Sequence, residues 1–288
     1  MELRVLNLGA GVQSTTLYLM FMRGELTPKP DVAIFADTQD EPQEVYRHLA
    51  WLRMLGERLQ EGVPILTCTA GRIGDDLVAG RNSTGQRFVS IPAFTTPDGG
   101  QTVGIRQRQC SKEYKTRIIA QTIRRQVLGL QPRQRVPKGV AVFQYFGISM
   151  DEARRARSIR EQFKKTQKWA TPVFPLLDKF MTRADCLTWL AKFGGVPHEV
   201  PRSSCVFCPY HSDAEWERVK ADPIDWQRAV EIDRAMRING MKVNRDKRQV
   251  IYLHDSCKPL DEVVFNPKPR DRQMPMSFYQ ECEGVCGV

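Results

Sequence analysis

The sequence predicts an α/β fold on an open parallel sheet, continuing into a helical, cysteine-containing C-terminal region. Three observations predict it. Short apolar runs at Leu3–Leu8, Asp31–Ala36, Pro64–Cys68 and Val140–Phe146 alternate with stretches of helical spacing, the pattern of βαβ units. Small or polar residues follow these runs at Gly9-Ala10-Gly11, Asp37-Thr38 and Gly147, where an open parallel sheet presents its ligand-binding rim. Near residue 195 the alternation stops. This gives an α/β domain over 1–195 and a helical region with a C-x-x-C pair and a cysteine-rich tail over 196–288.

The first strand leads into Gly9-Ala10-Gly11-Val12-Gln13-Ser14-Thr15-Thr16 and then a helix from Leu17. Small residues let backbone N–H groups close on a phosphate, and the following helix adds free amides and its positive dipole end. Hydroxyls of Ser14, Thr15 and Thr16 are further donors. The stretch lacks the lysine of a Walker loop and the third glycine of a dinucleotide fingerprint. The second strand ends in Asp37-Thr38-Gln39-Asp40-Glu41-Pro42, either a carboxylate cluster on the rim or an Asx-type turn. Helical spacing follows over Glu44–Leu59, and the third strand ends at Cys68, read as a buried small hydrophobe.

Gly71–Gly104 reads as a long loop over the site, with Arg72, Arg81 and Arg87 within reach of phosphates or simply on the surface. Then Arg106-Gln107-Arg108-Gln109-Cys110-Ser111-Lys112-Glu113-Tyr114-Lys115 surrounds a cysteine with cations, which favours thiolate. The strand over Val140–Phe146 runs into Gly147-Ile148-Ser149-Met150-Asp151; Asp151 is a ligand contact or a helix N-cap. Pro172–Leu177 reads as a last short strand. Thr182–Asp185 opens a capped helix whose Cys186 falls on the apolar face, and Ser212 with Glu215 forms a capping box before Trp216, a core residue together with Trp226 and Ile232. Asn239–Arg248 reads as a basic loop.

Cys205-Val206-Phe207-Cys208 is the most specific pair. Its spacing suits zinc, an iron–sulfur centre or a dithiol, with Cys110, His211, Cys257, Cys282 and Cys286 as further ligands. Eight cysteines in 288 residues fit metal or redox chemistry in a reducing compartment, and the expected location is cytoplasmic. No apolar run is long enough to span a bilayer. The net charge of +10 favours an anionic partner, nucleotide or nucleic acid. Arginine-rich runs lie at 106–125, 133–138 and 154–168, each also readable as a solvated helix face.

Taken in order, these motifs resemble the PP-loop adenine-nucleotide α-hydrolase superfamily, in a bacterial and phage branch related to phosphoadenosine-phosphosulfate reductase. The loop S-G-G-x-D-S maps Gly9, Ala10 and Gly11 on its first three positions, Gln13 on the aspartate and Ser14 on the serine. Gly9 and Gln13 depart from the pattern. Asp37 and Thr38 match a D-T-G segment. The resemblance implies a PP-loop sheet, with the nucleotide held by Gly9, Ala10, Gly11, Gln13, Ser14, Thr15, Asp37, Thr38, Arg108 and Gly147, and Lys112, Lys115 and Asp151 acting in catalysis. It further implies a 4Fe–4S cluster on Cys110, Cys205 and Cys208; Gln109 stands where the pattern has a second cysteine beside Cys110, and Cys282 of the tail is the expected fourth ligand, with zinc as the alternative metal. The activity implied first is ATP- and Mg²⁺-dependent adenylation coupled to sulfur transfer onto tRNA or DNA. The second is reduction of adenylyl sulfate or phosphoadenylyl sulfate through Cys286. A non-catalytic nucleotide- or nucleic-acid-binding protein is the third. A sulfur-donor protein and a second copy of the chain, as a homodimer, join the expected partners; a membrane does not.

Overall fold

A computed structural model describes residues 1–59, 62–80, 91–95, 104–105, 110–239, 241–244 and 247–266, in backbone alone at 104–105, 239, 241–244 and 247–249. Its main sheet is parallel throughout. β1 (Glu2–Asn7) is followed by α1 (Val12–Met22), β2 (Val32–Asp37), α2 (Gln43–Arg58), β3 (Ile65–Thr69) and α3 (Ile73–Ala79). Two-residue strands β4 (Phe94–Thr95) and β5 (Gly104–Ile105) pair antiparallel. A long helical passage then runs from a π-turn at Ser111–Thr116 through α4 (Arg117–Thr122) to a second π-turn at Ile123–Val127. β6 (Ala141–Phe146), α5 (Ala153–Thr166), β7 (Ala170–Val173), α6 (Pro175–Asp178) and α7 (Arg183–Trp189) complete the α/β part.

The five strands lie in the order β3-β2-β1-β6-β7. From β1 the chain grows outward through β2 and β3, then returns to the other side of β1 for β6 and β7. That reversal makes the crevice between the C-terminal ends of β1 and β6 the topological switch point, where open α/β sheets bind ligands. β1 and β6 pair over their full lengths, from Glu2 with Ala141 to Asn7 with Phe146. Apolar residues cover both faces, as a parallel sheet requires. Leu6, Phe35 and Tyr145 pack on one face with α1, α2 and α7. Val5, Ile34 and Val142 pack on the other with Ile119 and Ile123, and α5 covers the end of β6 on Phe146.

A second core lies beside the sheet. Val206, Phe207, Trp216, Ala229, Ile232 and Leu260 bury themselves against Ile73, Ile91, Ala93 and Tyr114. It is formed by α8 (Asp213–Ala221), α9 (Pro223–Asn239) and chain from both sides of residue 195. The capping boxes at Thr182/Asp185 and Ser212/Glu215 are both made, and Cys68, Cys186 and Trp216 are buried.

Three local expectations need correction. The segment read as a loop from Gly71 contains α3. The last strand is shifted toward the N-terminus, because Pro175 takes the first position of α6, where its missing N–H is harmless. Within Asn239–Arg248 the backbone forms strands β8 (Met241–Asn244) and β9 (Lys247–Gln249).

α3 is held by Asp40, whose side chain is fully buried. Asp40 Oδ2 accepts the Gly74 N–H at 2.7 Å, and Oδ1 accepts Arg228 Nε at 2.8 Å and Arg72 Nε at 3.1 Å. A β-carbon on Gly74 would stand 2.6 Å from Arg228 Nη2, 2.8 Å from Asp40 Oδ2 and 2.9 Å from Ile232. Gly→Ala in a helix ordinarily stabilises by about 1 kcal/mol. Here the packing conflict reverses the sign, and Gly74→Ala is expected to destabilise by roughly 1–3 kcal/mol in urea unfolding. An unchanged or raised midpoint would show that the Asp40–Arg228 pair yields freely.

Candidate active site

The turn after β1 is tight and leads directly into α1. Gly11 precedes α1 with no side-chain cap on its amides, so the helix offers N–H groups rather than a capping oxygen. Ala10 sits at φ 59° and Gln39, after β2, at φ 60°. Non-glycine residues in the left-handed region cost about 1–2 kcal/mol each, and such strain collects at ligand loops. All residues from Gly9 to Thr16 are buried.

Side chains join the two sides of the switch point. Gln13 Nε2 donates to Glu152 at 3.3 Å, and Arg183 Nη1 donates to Gln13 Oε1 at 3.0 Å. Glu152 also pairs with the largely buried Arg155. Gly147 and Ser149 are buried at the end of β6. Asp151 is exposed; it accepts the Arg183 backbone N–H at 2.6 Å and the Ser149 hydroxyl at 3.4 Å. It ties α7 to the β6 turn. The helix α5 has no side-chain cap, so Asp151 is not one. Arg183 was not singled out from the sequence; only the topology brings it beside Gln13.

On the adjacent strand, Asp37 forms an Asx turn, its Oδ1 accepting the Gln39 N–H at 2.7 Å and the Tyr46 hydroxyl at 2.9 Å. Burial and that carboxylate push the Tyr46 hydroxyl's pKa far upward. Thr38 is buried and lies 3.3 Å from Cys205 Sγ, and its hydroxyl donates to Glu41 at 3.3 Å. Glu41 in turn accepts Lys115 Nζ at 2.9 Å, with both side chains almost completely buried. The two predicted lysines therefore part: Lys115 points inward to Glu41, whereas Lys112 is exposed.

The Cys205–Cys208 turn closes with the Cys208 N–H on the Cys205 carbonyl at 2.9 Å, and the Val206 N–H reaches the Asp40 carbonyl at 2.8 Å. These bonds deliver the thiol to the rim of β2. Burial raises the Cys205 pKa well above the ordinary thiol value, Glu41 raises it further, and Lys115 and Thr38 oppose the rise. Cys110 is partly buried against the same apolar cluster as Cys205. Among the described residues no three His, Cys, Asp or Glu side chains converge as metal ligands. Arg108, Cys282 and Cys286 lie outside the described residues.

Two arrangements were not read from the sequence, which offered His211 only as a candidate metal ligand. Thr15 Oγ1 lies 2.9 Å from His48 Nε2, and His48 Nδ1 lies 2.8 Å from His198 Nε2, so a hydrogen-bond chain leaves the first turn of α1 for an exposed histidine. Burial first, and His198 second, depress the His48 pKa to about 3. Beyond the cysteine turn lies a cleft of about 320 Å³ lined by Pro42, Arg47, Arg202, Ser204, His211 and Asp225 among others. Ser204 Oγ and His211 Nε2 are 2.8 Å apart there, and burial lowers the His211 pKa to about 4.

No family model matches the chain, and neither a curated protein nor a solved structure matches it.

Two outcomes follow from the charges. Glu41→Gln removes the anion that opposes Cys205 ionisation, so the thiol pKa should fall by about 1 unit or more, and Lys115→Met should raise it. The pH dependence of iodoacetamide alkylation, read at Cys205 by mass spectrometry, checks this; equal profiles in both variants would refute the coupling. Each variant also strands a buried charge and should lose several kcal/mol of stability. For His48, the unfolded chain binds a proton between pH 6.5 and about 3 that the folded chain does not. Stability contributed by neutral His48 is therefore full above pH 6.5 and lost as pH falls through that window. The melting temperature should drop more steeply from pH 7.5 to 5.0 in wild type than in His48→Gln, and parallel slopes would overturn the assignment.

Proposed function

We propose that this protein is an adenine-nucleotide-dependent enzyme of the PP-loop type, which adenylates an oxygen of a nucleic-acid acceptor and replaces it with sulfur. One observation carries the reading. The C-x-x-C turn, far along the chain, is seated on the rim of β2, next to the switch-point strand β1, with Cys205 on Thr38 and beside the Glu41–Lys115 pair. A phosphate-type turn and a thiol on neighbouring strand ends are what coupled adenylation and sulfur transfer require.

In this reading the ATP phosphates lie against the amides of Gly9–Gln13, and the Arg183 guanidinium, already 3.0 Å from Gln13, takes up phosphate charge. Glu152, on Gln13, is the carboxylate that would hold Mg²⁺ together with phosphate oxygens, its usual ligands. The acceptor oxygen attacks the α-phosphorus and pyrophosphate leaves. A persulfide on Cys205, loaded by a sulfur-donor protein, then attacks the adenylated carbon and expels AMP. Cys208 attacks Cys205 Sγ, which releases the sulfur to the product and leaves a Cys205–Cys208 disulfide for an external dithiol to reduce. No step is routed through a cluster or zinc; Cys205 and Cys208, with Cys110 on the same apolar cluster, are the described cysteines that would hold one.

The test is isothermal titration with ATP·Mg²⁺, followed by a radiolabel assay with bulk tRNA or DNA and a persulfide donor. Saturable binding, loss of about 10-fold or more in affinity in Arg183→Ala, and joint release of pyrophosphate and AMP are expected. Sulfite release from adenylyl sulfate would favour the reductase instead. Tight binding without product would favour a nucleotide-binding protein that does no chemistry, and no ATP binding at millimolar concentration would end the proposal.

A further inference from the structure

α5 starts at the switch point and runs antiparallel to the strands, away from the site. Its buried side is Arg155, Ala156, Ile159 and Phe163. On the opposite side Arg154, Arg157, Lys164 and Lys165 are exposed, and Lys168 extends the row just past the helix end. At 100° per residue the four cations within the helix fall within about 100° of arc, opposite the buried stripe. Within the helix, from Arg154 to Lys165, the row extends over about 16 Å, and Lys168 stands in the turn beyond it.

Opposing charge on this face is sparse. Glu161 is the acidic residue within it and is held by Lys164 at 2.8 Å. Arg155 turns inward to Glu152, and Arg160 lies over the Phe174 ring at 4.7 Å. Exposed positions from Ala153 to Thr166 are Ala153, Thr166 and charged residues, with no large apolar side chain to insert into lipid. A membrane-surface helix needs such an apolar face as well as a basic one. A phosphodiester backbone needs only the cations.

We propose that the exposed face of α5 binds the nucleic-acid backbone and guides the acceptor strand toward the β1–β6 crevice. The inference deepens the adenylation and sulfur-transfer reading and rests on it for the direction in which the strand is led. The cations nearest the helix start, Arg154 and Arg157, would hold the phosphates nearest the reacting nucleotide. Lys164, Lys165 and Lys168 would hold those farther out.

Fluorescence anisotropy with labelled 20-nucleotide single-stranded RNA, single-stranded DNA and duplex DNA tests it across 50–200 mM KCl. The variant Arg157→Glu/Lys164→Glu/Lys168→Glu is compared with Arg133→Glu/Arg135→Glu/Lys138→Glu, an equal charge change on an exposed loop. The α5 variant should lose at least about 10-fold in affinity for one of these probes at 100 mM salt, and its log–log salt slope should fall by about 2 to 3. The loop variant should stay within about 3-fold of wild type. Equal losses in both variants, no binding of any probe by wild type at 50 mM salt, or preferential binding of phosphatidylserine vesicles would each overturn the proposal. ATP titration separates the two readings. An α5 variant that binds ATP normally but not nucleic acid supports this surface. A wild type that binds nucleic acid through α5 but not ATP removes the nucleotide reading and leaves the surface standing.

Discussion

Asp40 stands one residue from the Glu41–Lys115 pair and two from Thr38, on the loop that follows β2, and its side chain has no access to water. A lone carboxylate in that position would carry a penalty of several kcal/mol, so it must be paired and hydrogen-bonded. Arg228 from α9, Arg72 and the Gly74 N–H together meet that demand. The Asp40 carbonyl meanwhile accepts the Val206 N–H. One residue thus fastens the sheet rim to α3, to α9 and to the cysteine turn. Arg228 also reaches Asp75 and Glu231, and its own proton is held more tightly than that of a free arginine. The second core has its shape because this junction fixes where α9 lies.

From that junction the placement of the thiol follows. Val206 bound to Asp40 leaves Cys205 against Thr38, and the Glu41–Lys115 pair sets the local field. Neither charge of that pair governs alone. Burial holds Cys205 in its neutral form, the carboxylate adds to that, and the ammonium opposes it. A phosphate or adenylate that drew Lys115 or Glu41 away would change the balance, so thiol reactivity in such a site is linked to occupancy. The switch point has a parallel construction, with Gln13 between Glu152 and Arg183. Its amide can serve both as donor to the carboxylate and as acceptor from the guanidinium. An aspartate there could accept from Arg183 but would repel Glu152.

The strands were legible because a parallel sheet buried on both faces writes uninterrupted apolar runs, and the caps because Thr182/Asp185 and Ser212/Glu215 are local chemistry. β7 was harder. It is an edge strand that tolerates Pro172, and Pro175 immediately begins a helix, so the prolines obscured the boundary. α3 was hidden because a seven-residue helix has little periodicity, and Asp40, on the Gly74 N–H, and Tyr114, on Asp76, hold it from outside. The site was legible only in pieces. Thr38, Lys115 and Cys205 were each named, but not the mutual contacts that give them chemistry. Glu41 meets Lys115 across 74 positions, and His48 meets His198 across 150. No local pattern encodes such pairings; the strand order does.

The net charge of +10 invites the assumption that cations crowd the site. They do not stand there unopposed. Lys115 meets Glu41, Arg155 meets Glu152, Arg202 meets Glu215, and Arg228 meets Asp40, Asp75 and Glu231. Each of these cations is at least largely buried, where an unpaired charge would be costly. The excess is therefore displaced outward, onto the exposed face of α5 and the basic loop at 133–138, where water solvates it. That division has a physical consequence for any anionic partner. A small ligand at the crevice must compete with carboxylates already in place, so its affinity depends on geometry and on the loop amides. A long polyanion laid along α5 meets cations whose opposing charges are few, and its affinity is governed by released counterions. On the proposed reading the chain is selective toward a nucleotide and permissive toward a nucleic acid, because the two classes of charge are kept in different dielectric surroundings.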